Sequence, residues 1–153
     1  MRQKNNRTAL MCATDFLARQ DHSESRLRQK LKMRDYSPED IEDAISKLKK
    51  YNYLNDQKAC SAQFDLLYSS NKFSMRQIYV KLIKLGFDSQ LIESLIPSDN
   101  DEHEKLTAVN LLHSKFKTAV EDKKMWQFLA TKGFESSVVY SAVDEFKSSL
   151  NLD

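Results

Sequence analysis

Apolar residues in this chain recur at intervals of three and four. Leu27/Leu31, Ile78/Leu82 and Met125/Leu129 form one set of pairs, and Ile41/Ile45, Ile92/Ile96 and Val139/Val143 form a second. A step of four keeps both members of a pair on one helical face, so each pair predicts a helix with one buried side. The pairs are organised about three short segments, Asp35-Tyr36-Ser37, Gly86-Phe87-Asp88 and Gly133-Phe134-Glu135. The first pair stands eight and four positions before each segment and the second six and ten after it. Gly86 and Gly133 are the only two glycines, 47 positions apart, and Asp35 lies 51 positions before Gly86. The pattern is a threefold internal repeat.

Glycine suits a helix end because a left-handed residue there lets the chain turn without a Cβ clash. Asp35 can take that conformation at some cost. Tyr36, Phe87 and Phe134, which follow, are placed to plug the gap beside the next helix. Ser37-Pro38-Glu39-Asp40 reads as a helix start, with a capping hydroxyl, a proline at the first helical position and acids where the helix dipole favours them. Ser23, Ser74 and Asp56 are further cap candidates. Together these signals predict helices over 8–20, 23–34 and 37–51, then 56–70, 74–85 and 88–96, then 100–118, 121–132 and 135–149, with a linker at Pro97-Ser98-Asp99-Asn100-Asp101.

The expected fold is therefore all-α, with three tandem three-helix units at 1–53, 54–97 and 98–153. A unit of about 50 residues buries too little apolar surface to be comfortably stable alone, so neighbours should lean on one another in an elongated, curved repeat. Such a body offers a long contact surface rather than a deep pocket.

Composition supports this reading. Of 153 residues, 41% are apolar and 30% charged, and there are two glycines and two prolines, too few turn residues for a sheet architecture. No apolar run approaches the roughly 20 residues that cross a bilayer, and the start MRQKNNRTAL lacks the apolar core of a secretory signal, so a cytoplasmic protein is expected. Cys12 and Cys60 lack a CxxC spacing and are expected reduced and partly buried. His22, His103 and His113 show no metal-ligand spacing and read as exposed or capping residues. Glu39, Asp40, Glu42 and Asp43, with Lys47, Lys49 and Lys50 in the last turns, fit dipole complementarity better than paired-carboxylate catalysis. With no glycine-rich phosphate loop, no GxSxG elbow and no cysteine with an evident histidine partner, the expectation is a protein without enzymatic activity or cofactor.

Charge is more informative. The net charge of +2 divides into +6 over residues 1–34 (nine cations, including Arg2, Lys4 and Arg7, against Asp15, Asp21 and Glu24) and −4 over the rest (15 bases against 19 acids). A basic front on a near-neutral chain points to an anionic partner, nucleic acid first. On the helix predicted at 23–34, Arg26 and Lys30 flank the Leu27/Leu31 seam on one side and Arg28 and Lys32 on the other. The repeat offsets relate Lys30 to Lys81, Arg26 to Lys124 through Gln77, and Arg28 to Tyr79 and Trp126, a mixture of cations and aromatics that suits phosphate attraction with stacking or partner contact. Candidate contacts are Arg19, Arg26, Arg28, Lys30, Lys32 and Arg34, with Arg76, Lys81 and Lys84 in the second unit and Lys123 and Lys124 in the third. Tyr51 and Tyr53, at the first junction, could be a binding handle but are expected as wedges that fix the angle between units.

Several segments resemble the RecX family in order and spacing from about Ala9 to Phe146. Arg19-Gln20-Asp21-His22-Ser23-Glu24-Ser25-Arg26-Leu27-Arg28-Gln29-Lys30-Leu31 is similar to that family's first-unit signature, Tyr53-Leu54-Asn55-Asp56 to its unit junction, and Lys132-Gly133-Phe134 to its last helix turn. The resemblance implies a modulator of the RecA recombinase that binds the RecA–DNA filament and reduces strand exchange, ATP turnover and repressor self-cleavage. The expected partners are then the RecA filament and, through phosphates, single- or double-stranded DNA, with the protein itself a monomer. Two alternatives stay open at this stage: a stand-alone DNA-binding protein whose helix at 23–34 enters a groove, and a helical adaptor that recognises another protein through its concave side.

Overall fold

In the computed structural model, residues 6–151 are described. Among these residues the chain forms nine α-helices and no strand. They are α1 (Ala9–Arg19), α2 (Glu24–Met33), α3 (Pro38–Lys50), α4 (Asp56–Ser69), α5 (Met75–Lys84), α6 (Ser89–Leu95), α7 (Asp101–Lys115), α8 (Asp122–Thr131) and α9 (Ser136–Leu150). Local chemistry accounts for most of the starts. The side chains of Thr8, Ser23, Ser37, Asn55, Ser74 and Asp88 each accept a hydrogen bond from a backbone N–H in the first turn of the helix that follows. Ser74 and Gln77 complete a reciprocal capping box. Asp56 is not the cap of its own helix; Asn55 takes that place, and the Asp56 carboxylate is used elsewhere.

The three expected left-handed turns are present, with φ of 64° at Asp35, 92° at Gly86 and 91° at Gly133. Phe87 and Phe134 donate their backbone N–H back to Leu82 and Leu129, closing the turn, and their rings are buried. The seam falls where the spacing placed it: Leu27, Leu31, Ile41 and Ile45 lie in a first core with Cys12, Leu48 and Leu54. Ile78, Leu82 and Ile92 join Cys60, Phe64 and Phe87 in a second, and Met125, Leu129, Val139 and Val143 join Leu112 and Phe146 in a third. Each core is built by one trio of consecutive helices. Ile96 is the exception among the seam positions: α6 stops at Leu95, and Ile96 turns extended (ψ 122°) because Pro97 disfavours a helical residue before it. α7 likewise ends at Lys115, short of 118, because Phe116 swings out to set its ring edge-on to Phe128, 5.6 Å away.

The units are joined by a repeated set of contacts. Ser23 caps α2 and also donates its hydroxyl to the carbonyl of Leu85, the residue before Gly86 (2.6 Å). One unit further on, Ser74 caps α5 and donates to the carbonyl of Lys132, the residue before Gly133 (2.5 Å). A carboxylate from the following unit then accepts the N–H of the first helical residue: Asp56 from Glu24 (2.8 Å) and Glu104 from Met75 (2.8 Å). The positive end of each helix dipole is thus closed from the next unit. His103 adds to the second joint, stacking on Tyr68 at 3.6 Å with Nε2 2.8 Å from the Tyr68 carbonyl.

Three small cores in series leave much surface exposed. The chain presents 10532 Å² to solvent, whereas a compact monomer of this mass exposes roughly 8,000 Å². The molecule is an elongated row, as the repeat implied.

Candidate phosphate and partner interface

The two flanks of α2 have different environments. On the flank facing α3, Arg28 is engaged with acids: its Nε donates to Glu42 Oε1 at 2.6 Å, and its terminal nitrogen reaches Glu42 Oε2 at 3.2 Å and Glu24 Oε1 at 3.1 Å. Lys49 joins the same Glu24 at 3.2 Å. These hydrogen bonds hold the Glu42 carboxyl below, and the Arg28 guanidinium above, their ordinary pKa values. Arg28 therefore ties α2 to α3, and much of its charge is balanced locally. Lys32, further along α2, is exposed.

On the flank facing α1, cations and rings alternate. Lys30 lies 5.1 Å and Arg34 5.4 Å from the centre of the Phe16 ring, distances at which a cation is attracted to an aromatic face. Lys30 also donates to His22 Nε2 at 2.7 Å. Arg26 reaches across the first joint to donate to the Lys84 carbonyl at 3.2 Å. Arg19 is exposed in the last turn of α1. Arg7 pairs with Asp15; Arg2 and Lys4 lie outside the described residues.

The second joint carries a groove of about 460 Å³ between α5 and the end of α8. It is lined by Arg76, Lys81, Lys84 and Lys132 with Gln77, Val80, Ala130, Thr131 and Gly133, and no acid is among them. Lys81 lies 4.6 Å from the Phe73 ring centre, echoing Lys30 over Phe16. The structure thus brings together three cations anticipated from the sequence and adds Lys132. Lys132 could have been found from its place before Gly133, a position that the close approach of the units puts at the joint. Lys123 and Lys124 are exposed near the start of α8, roughly 10 Å along the axis from Ala130, where the groove begins, at about 1.5 Å per residue. They do not belong to it. By the repeat offsets Lys81 occupies the place of Lys30 and Gln77 that of Arg26, so the two basic clusters lie on equivalent sides of successive joints.

A second surface is apolar. Leu10, Leu17, Ala18 and Leu48, with Thr14, Lys47, Tyr51 and Tyr53, line a groove of about 490 Å³ between α1 and the end of α3. Tyr51 and Tyr53 are 67% and 74% exposed, so they are not the wedges between units that the sequence led one to expect. Leu54, the next residue, takes the inward place.

Of the histidines, His113 is exposed, but His22 is only 5% exposed, contrary to the expectation of an exposed or capping side chain. It packs beside Phe16, and its Nδ1 lies 2.9 Å from the Gln20 carbonyl. Burial, then Lys30 and Arg26, lower its pKa against the raising influence of Gln20 and Asp21. Cys12 and Cys60 are buried and unbridged, and burial, with Asp56 nearby, pushes the Cys60 thiol up to about 11. No described helix is long and apolar enough to cross a membrane.

Residues 9–48 match the profile of a family domain described as RecX, first three-helix domain. The chain is 30% identical over 133 residues to Regulatory protein RecX of Actinobacillus pleuropneumoniae serotype 5b, covering 84% of this chain and 86% of that protein. It is 29% identical over 130 residues to Regulatory protein RecX of Caldanaerobacter subterraneus subsp. tengcongensis, spanning 84% of this chain and 66% of that longer relative. The crystal structure of RecX from Lactobacillus salivarius superposes with a TM-score of 0.77 over 91% of this chain and 94% of that one, at 21% identity, and shares its fold.

Proposed function

Because the chain belongs to the RecX family of regulatory proteins, we propose that it regulates RecA by lying along the RecA–DNA filament and lowering its ATPase, recombinase and repressor-cleavage activities. The observation that carries the reading is the acid-free groove of Arg76, Lys81, Lys84 and Lys132 at the second joint, in series with Arg26 and Lys30 at the first. Cations at successive joints suit a polymer that presents phosphates and protein protomers repeatedly, because several weak contacts on one rigid row add through effective concentration. The phosphate contribution is electrostatic and sequence-independent. Arg19, Lys32, Lys123 and Lys124 extend this basic surface, and Arg28 supports it by fixing α2. The apolar groove at Tyr51 and Tyr53 is assigned to RecA protein contact, and the protein works without catalysis, as a monomer.

The test is titration into preformed RecA filaments on single-stranded DNA while ATP hydrolysis is followed. Wild type should lower the rate. Reversing Arg76, Lys81 and Lys84 to Glu should leave helicity intact, weaken inhibition, and flatten the plot of log affinity against log salt by about 2, at roughly 0.7 per phosphate contact on single strands. Undiminished inhibition by the folded triple variant removes the groove from the mechanism.

A further inference from the structure

His22 sits where the first joint, the basic flank of α2 and the ring of Phe16 meet. With its Nδ1–H donated to the Gln20 carbonyl at 2.9 Å, the neutral imidazole has one lone pair left, on Nε2, and the Lys30 ammonium donates to it at 2.7 Å. Protonation ends that arrangement, because the imidazolium has no acceptor and stands as a second cation against Lys30. The charged groups around His22 are Arg26 and Lys30 on α2 and Asp21 in its own loop; Gln63 from α4 and Leu85 and Phe87 beyond α5, which line a small cavity of about 110 Å³ beside the ring with Arg26, are neutral.

We propose that His22 is a proton-linked positioning residue of the phosphate site at the first joint. As neutral imidazole it holds Lys30 by hydrogen bonding, and a phosphate placed on Arg26 and Lys30 draws a proton onto it. The bound anion cancels the two cations that oppose an imidazolium, and its oxygen accepts from both Lys30 and the new Nε2–H. Phosphate affinity then rises as pH falls through the histidine range. The proposal rests on the reading of this flank as a phosphate-binding surface, and it explains why a histidine is kept buried beside a lysine.

The test uses the full chain and single-stranded oligothymidylate. The His22 imidazole is titrated by NMR with and without the oligonucleotide, and affinity is measured by anisotropy at about pH 8 and about pH 5.5 for wild type and His22→Gln. Expected are a His22 midpoint below the ordinary histidine value in the free protein, a rise of about one unit on binding, and roughly fivefold more tightening toward acid for wild type than for His22→Gln, tenfold being the limit for one unit. Lys30→Met should raise the free-protein midpoint, which keeps the idea testable should His22→Gln fold poorly. A midpoint that oligothymidylate leaves in place, or equal pH dependence in wild type and a folded His22→Gln, overturns the proton linkage and leaves the phosphate surface standing. If oligothymidylate binds at neither pH, the phosphate reading falls and this inference with it.

Discussion

A β-carbon on Gly86 would lie 2.5 Å from the Ser23 hydroxyl oxygen, and one on Gly133 would meet the Arg76 stem at 2.9 Å. Both residues have positive φ, so each glycine answers to a turn and to a neighbouring unit at once. The obstacle differs, since the serine is fixed by two hydrogen bonds whereas an arginine stem can move aside. Gly86→Ala should cost about 1–3 kcal/mol and Gly133→Ala less; chemical denaturation orders the two. The sequence displayed both glycines as helix stops but hid their second purpose, because a close approach depends on what another segment brings. The same holds for His22, whose burial comes from packing around Phe16 and the first joint rather than from its own neighbours in the chain.

Helix ends were the most legible elements. Ser23, Ser37 and Ser74 cap as read, because a cap is made within four residues of sequence. Departures appear where a non-local partner or a stiff neighbour decides: Ile96 before Pro97, Phe116 returning to the third core, and Asp56 serving α2 in place of α4. The carboxylates that close α2 and α5 carry a pH signature. Burial first, then neighbouring acids, raise the Glu104 pKa against the lowering bond from Met75. Between the ordinary and the raised value the folded state holds more protons than the unfolded one, so this group's contribution is fully present at low pH and is lost as pH climbs through the raised value. Glu104→Gln should therefore flatten the decline of stability from acid toward neutral pH, which thermal melts across that range would show. Equal pH profiles for wild type and variant would contradict the role given to this carboxylate.

At the scale of the molecule, the threefold seam was readable from spacing alone, since the same face is buried in each trio. Surface use was only partly readable. The basic flank was visible as composition, but Arg28 proves to be spent on Glu42 and Glu24, and Lys132 enters the groove through the joint. Tyr51 and Tyr53 stand outward because Leu54 already fills the inward place. Replacing both tyrosines with Ala should weaken inhibition of filament ATPase by about fivefold or more, the scale of an interface anchor worth at least ~1 kcal/mol, while binding of bare oligothymidylate stays unchanged.

The joint also governs which middle helices can meet. It demands a hydroxyl at the start of one middle helix and an absent β-carbon at the turn of the next unit's middle helix. At the equivalent positions the third unit holds Glu121, which makes no side-chain cap bond, and the first unit holds Asp35. Two molecules meeting tip to tip would press a carboxylate where a serine belongs against a side chain where none fits. Stacking of copies into fibres through this contact is thereby disfavoured, and the surface that joins one unit to the next does not serve to join one molecule to another.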